Sequence, residues 1–364
     1  MSVPSQNIAH GPAPAVEPVG HQHNISAAEN GAGSVERKGR PYGAGFSLVR
    51  WLRLHLVDLI TMAAMGAIGL GVYEADPAPT RSFPVYNTDG SIAYPQFAYP
   101  MRKNIIPIYA AALLAFFVPF VFFVLFQIRI RSIEALLGTT MGLLESLITA
   151  AVFQVFHKWL IGGLRPHFLA ACNPDPSKLQ HMGNGFAQIM YTREICTGDQ
   201  NDINDSLESW LSGHSTAAFA GFVYLFFYFN SQLKVMSDHR PAYWKMILTI
   251  APLLGASLIA ASLTIDEFHN WYDCVGGALV GTFCAFIAYR KTFAAIWDFR
   301  FNHILLPRST SLFHRRAVDG ELATSRFSYS RQEAVLHRPT AAEGGWRKEW
   351  GSAGAPSDAT AMMV

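Results

Sequence analysis

Lys158 precedes Arg165-Pro166 by seven positions, Ser212-Gly213-His214 forms a tight triplet, and His269 precedes Asp273 by four. An ammonium and a planar guanidinium suit phosphate oxygens, the first as a point charge and the second as a fork of donors. On a helix, a spacing of seven brings Lys158 and Arg165 to nearly one face, two turns apart, and Pro166 fixes the chain where it leaves. Gly213 permits close backbone approach, Ser212 offers a hydroxyl, and the free amides of a helix start favour an anion, although Ser212 suits plain helix capping equally well. A spacing of four stacks His269 and Asp273 on one helix face. There the carboxylate accepts from one ring nitrogen and leaves the other to attack phosphorus or take a proton. If one imidazole attacks while the other protonates a leaving oxygen, the two need opposite protonation states, which different partners supply. Asp266 and Glu267 lie close to His269 and Asp273, but no second His or Cys completes a metal shell, so no metal ligand and no cofactor are assigned.

All three clusters stand at the ends of apolar runs. Hydrophobic residues make up 51% of the 364, charged residues 15%, and Phe occurs 26 times, which excludes an ordinary soluble domain and fits a polytopic membrane protein. A helix needs about 20 apolar residues to cross the hydrocarbon, and six stretches approach that: 55–73, 105–126, 139–156, 216–233, 245–262 and 272–289. The predicted fold is therefore all-α, an integral membrane bundle of six transmembrane helices. Its topology brings the end of the third span and the starts of the fourth and sixth to one membrane face.

The distribution of charge orients the bundle. Of the 28 Lys and Arg residues, 21 lie in the leader, the second and fourth connections and the tail, and seven on the opposite face. Because cytoplasmic segments collect positive charge, both termini are expected in the cytosol and the clusters at the lumen or exterior, in a membrane of the secretory pathway. Residues 1–45 are polar, rich in Gly, Pro, Ala and Ser, and read as a disordered leader; no cleaved signal is recognised, so the first span serves as an anchor. Residues 46–306 form the membrane domain, and 307–364 read as a flexible tail. Cys172 and Cys196 lie in the longer connections, where an oxidising lumen allows them to pair, whereas Cys274 and Cys284 fall within the last span as apolar fillers. Asn204-Asp205-Ser206 is a glycosylation sequon on the outer side; a second, at Asn24, sits in the leader.

Together the clusters resemble the three-part signature of the type 2 phosphatidic acid phosphatase (lipid phosphate phosphatase) superfamily: Lys-x6-Arg-Pro, then Pro-Ser-Gly-His, then Ser-Arg-x5-His-x3-Asp. Arg165-Pro166-His167-Phe168-Leu169 and Ile195-Cys196-Thr197-Gly198-Asp199 resemble its fungal and plant members, and the similarity runs from the first span to the sixth. The resemblance implies a six-span enzyme that dephosphorylates phosphatidic acid, diacylglycerol pyrophosphate and related lipids without a divalent metal. It implies that Lys158, Arg165, Ser212 and the Gly213 amide hold phosphate, His214 is the acid, His269 the nucleophile, and Asp273 its orienter. Two positions depart from the pattern. Leu211 replaces the Pro, which loosens the loop but removes no reacting group; Leu263, next to the retained Ser262, replaces a phosphate-binding Arg. Losing that two-pronged contact costs about 3 to 6 kcal/mol, a hundredfold to ten-thousandfold in rate unless another cation such as Arg193 substitutes.

The resulting expectation is a membrane phosphatase with a phospholipid substrate, a phosphohistidine intermediate and reduced activity; no nucleic-acid partner is expected. Three alternatives compete. A non-catalytic relative would bind lipid headgroups or partner proteins with the same fold, and a membrane transferase would pass the phosphoryl group to an acceptor other than water. A soluble haloperoxidase with related motifs conflicts with the six spans.

Overall fold

The computed structural model describes residues 46–75, 82–180 and 183–306. The expected leader, its Asn24 sequon and the tail from 307 lie outside the described residues. In chain order the helices are α1 (Leu48–Tyr73), α2 (Ile108–Ile130), α3 (Ile133–Ile161), α4 (Phe168–Cys172), α5 (Pro176–Leu179), α6 (Gln200–Ser206), α7 (Gly213–Leu233), α8 (Tyr243–Ile265) and α9 (Trp271–Thr292). Two short strands, β1 (Phe83–Pro84) and β2 (Met190–Tyr191), pair antiparallel. The molecule is thus helical, as the apolar runs predict.

Each of the six long helices falls on one of the predicted runs, with α2 starting three residues into its run. Among the described residues five of them are long and apolar enough to cross a membrane, and the chain is an integral membrane protein; α7 falls short of that apolar content. The reason is its position. It packs against α2, α3, α8 and α9, and 17 of its 21 residues are buried. A helix surrounded by protein can carry Ser, Thr, Asn and Tyr that lipid would penalise, because its neighbours satisfy them. Tyr224 donates to the Thr139 carbonyl and Ser215 to that of Cys274. Around it, Phe123, Tyr228, Phe229 and Tyr289 form a core of edge-on and tilted rings.

The approach of α7 to α9 is close enough to require glycine. A Cβ at Gly277 would stand 2.7 Å from the Ser212 carbonyl oxygen, and one at Gly281 would run into the Thr216 carbonyl. Side chains there would push the helices apart, so their register is fixed by sequence.

The longer connections at the cluster-bearing end are organised, not slack. Phe83, Val85, Phe168, Cys172, Ile195, Ile203 and Leu207 form a small separate core, and the β1–β2 pairing ties the first long connection to the second. Cys172 and Cys196 are joined by a disulfide, while Cys274 and Cys284 are free and buried. Asn204 of the Asn204-Asp205-Ser206 sequon lies on α6 and accepts from Arg193 and Gln200, and Ser206 is fully buried.

Candidate functional site

The first cluster does not lie on one helix. α3 ends at Ile161, and Gly162 and Gly163 turn the chain with φ of 57° and 128°, so Arg165 stands beyond the helix. That double glycine is the physical reason the predicted two-turn stacking fails. The two cations converge nonetheless: Arg165 Nη2 donates to Asp205 Oδ1 at 2.5 Å, and Lys158 Nζ lies 3.4 Å from the same oxygen and 3.2 Å from Glu208 Oε2. Arg165 and Lys158 are both buried, and the Arg165 Nε has no partner.

Ser212 is the N-cap of α7, its hydroxyl accepting from the Ser215 amide at 3.4 Å, so the capping role is realised. His214, in the first turn, contacts the Ile106 carbonyl through Nε2 at 2.8 Å. A carbonyl only accepts, so Nε2 carries the hydrogen and Nδ1 is the position left to exchange a proton. Leu211, where the family pattern has Pro, is packed into the site: it is buried, and its carbonyl accepts from Gln154 of α3 at 3.1 Å.

His269 likewise lies outside the helix predicted to carry it. Asn270 is the N-cap of α9, and Asp273 is the third residue of a capping box, accepting from the Asn270 amide at 3.0 Å. Asp273 Oδ2 also accepts from Ser209 Oγ and from Asn270 Nδ2, at 3.2 Å. His269 Nδ1 lies 3.8 Å from that oxygen, an ion-pair separation too long for a hydrogen bond; Nδ1 and Asp273 Oδ1 have no other partner, and both residues are buried.

Main-chain and side-chain links bring the three clusters to one end of the bundle. Ser212 N donates to the Asp273 carbonyl, Asn270 Nδ2 to the Leu164 carbonyl, and His167 Nδ1 to the Glu267 carbonyl at 2.9 Å. The Arg165 charge acts on His167, His214 and His269 alike. Burial, reinforced by Arg165 and Lys158 and opposed by Asp273, pushes the His269 imidazole down to about 4. That ring is neutral at physiological pH and its free nitrogen is available. Burial works against ionisation of Asp205, but Arg165, Lys158 and His269 outweigh it and hold this carboxyl below its ordinary value.

Leu263 is fully buried, in a cluster with Ala260, Phe268 and Cys274. Its carbonyl accepts from the amides of Phe268 and His269. Arg193 donates to Asn204 at 3.1 Å. A cavity of about 380 Å³ opens beside Ser209 and Asp273, walled by Phe83, Tyr94, Trp210 and Tyr272 among others.

Sequence reasoning gave no role in the site to Asp205, Glu208, Ser209, His167 or Asn270. Only Asn270 had a signal, the N-cap followed three residues later by an acid. The others act across tens of residues and leave no spacing pattern.

Residues 139–297 match the PAP2 superfamily. Over 255 residues, 69% of this chain and 67% of the relative, the sequence is 31% identical to a PA-phosphatase related-family protein of Dictyostelium discoideum. It is 28% identical to lipid phosphate phosphatase 1 of Arabidopsis thaliana over 65% of this chain and 68% of that protein. To diacylglycerol pyrophosphate phosphatase 1 of Saccharomyces cerevisiae it is 29% identical, over 73% of this chain and 91% of that protein. No solved structure matches the chain.

Proposed function

Because this chain belongs to the PAP2 superfamily, we propose that it hydrolyses a lipid phosphate monoester, of the phosphatidic acid or diacylglycerol pyrophosphate class, through a phosphohistidine. Lys158, Arg165, Ser212 and the Gly213 amide hold the phosphoryl oxygens. His269 Nε2 attacks phosphorus while Asp273 faces Nδ1; the bond from phosphorus to the leaving oxygen breaks, and His214 gives that oxygen a proton from Nδ1. His214 then takes a proton from water, whose oxygen attacks phosphorus, and cleavage of the phosphorus–nitrogen bond frees inorganic phosphate and restores His269. The reaction runs without a divalent metal on the luminal or exterior face of a secretory-pathway membrane, with residues 1–45 and 307–364 as cytosolic extensions of the membrane domain.

The observation that carries this reading is the convergence of two buried cations on a single carboxylate oxygen beside a neutral, buried His269. An oxyanion already occupies the place a phosphoryl group needs. Purified protein should release phosphate from phosphatidic acid in detergent micelles containing chelator, and His269→Ala should release none; equal rates in the two proteins would end the enzyme reading.

One observation favours a second reading. Position 263 itself carries a buried, apolar side chain in place of a charged one, which suits a lipid-phosphate-binding or partner-binding protein without turnover, and reduced activity under the first reading. Phosphate affinity that survives His269→Ala, in a wild type without turnover, would mark the binder.

A further inference from the structure

Both proposed phosphate-binding cations are already engaged by acids of the chain itself. Asp205 Oδ1 accepts from Arg165 Nη2 and lies within ion-pair distance of Lys158, whose second partner is Glu208 Oε2. Two positive charges thus face two negative ones, and the site has no net attraction for a further anion until a carboxylate gives way. The two acids differ in their freedom to do so. The Glu208 side chain is 15% exposed, whereas that of Asp205 is 48% exposed and sits near the end of α6, a helix of seven residues. With its side chain half exposed, Asp205 can exchange Arg165 for water by rotating outward.

We propose that Asp205 is a built-in competitor for phosphate oxygens. It pairs Lys158 and Arg165 in the resting site, swings out as a tetrahedral oxyanion binds, and returns as phosphate leaves. This inference rests on the phosphate-binding reading of Lys158 and Arg165 given above. Without that counter-ion the pair would hold the product as tightly as the substrate's head group, and Arg165 would carry an uncompensated charge in the empty site while Lys158 kept only Glu208. The competition weakens every phosphate-like ligand by one common factor. For an ion pair that is charge-assisted but half-exposed, that factor is roughly five- to tenfold.

The test uses purified full-length protein in detergent micelles, with inorganic phosphate titrated calorimetrically so that the readout does not depend on turnover. Asp205→Asn removes the charge and keeps the shape; Asp205→Ala, at this half-exposed position, is the second variant should the first fail to fold. Either should bind phosphate roughly five- to tenfold more tightly than wild type. Where turnover is measurable, KM for phosphatidic acid should fall by the same factor. Unchanged or weaker phosphate binding in the Asp205 variants overturns the inference, since weaker binding would mean that Asp205 only props Arg165 in place. Arg165→Met, titrated in parallel, separates the two claims. If it leaves phosphate affinity intact, the phosphate-site reading itself falls; if it abolishes binding while the Asp205 variants show no gain, only the competitor falls.

Discussion

Replacing Asp273 by Asn isolates the charge that faces His269. Three donors, Ser209 Oγ, Asn270 N and Asn270 Nδ2, point at Oδ2, whereas Oδ1 has none. An asparagine therefore settles with its oxygen in the Oδ2 position, keeps the capping box, and turns its amide nitrogen to the Oδ1 side. What disappears is the negative charge 3.8 Å from His269 Nδ1. As phosphorus bonds to Nε2 the ring becomes cationic, and at that separation a buried carboxylate stabilises it by about 4 kcal/mol with an effective dielectric near 20. The expected loss in kcat is therefore about a thousandfold. KM should change little, because Asp273 is not proposed to touch the phosphoryl group. Thermal unfolding supplies the control: Asp273→Asn should stay within about 1 kcal/mol of wild type, while Asp273→Ala, which also removes the cap, should lose about 1 to 2 kcal/mol more. Phosphate release from phosphatidic acid, followed at saturating substrate, reads the effect. A kcat within tenfold of wild type, or a loss carried by KM, would refute the reasoning.

Ser209→Ala removes one of the three donors to Asp273 and should lower kcat by about tenfold with phosphate affinity unchanged, as a positioning residue would; a fall in affinity would place Ser209 elsewhere in the mechanism. Leu263→Arg should tighten phosphate binding by at least about tenfold while lowering the unfolding temperature, since a charge enters the cluster of Ala260, Phe268 and Cys274. No tightening in a folded variant would show that Leu263 does not limit the site. His269 is held at about 4, against about 6.5 when unfolded. Between those values the unfolded chain binds the extra proton, so stability is complete above about 6.5 and falls by up to about 3 kcal/mol as pH drops to about 4. Denaturation of His269→Ala should lack that component, and a wild type with no extra loss across this window would contradict it. Cys172→Ser with Cys196→Ser opens a closed segment of 24 residues and should cost about 3 kcal/mol of stability, read by thermal unfolding.

The helices and the positions of the three polar clusters were legible because both are local: apolar runs reveal helices, and polar side chains stand where such runs end. What the spacing misjudged is how the helices end. Gly162-Gly163 stops α3 before Arg165, and the capping box of Asn270 and Asp273 leaves His269 outside α9, so two pairs read as helix faces are held by turns instead. Asp205 meets Arg165 across 40 residues, a contact that no short pattern encodes. That α7 is the enclosed helix was equally hidden, because composition does not say which helix the others will surround.

That surrounded helix has a consequence for how the protein is made. Five helices are long and apolar enough to cross a bilayer, but α7 is mostly covered by protein, and its Ser215 and Tyr224 side chains find their partners on other helices. A place for α7 in the membrane would therefore depend on α2, α3, α8 and α9 closing around it. The segment that presents His214 is the one of the six long helices that falls short of the apolar content for crossing, so a chain that fails to assemble its bundle also loses the proposed proton donor from the site.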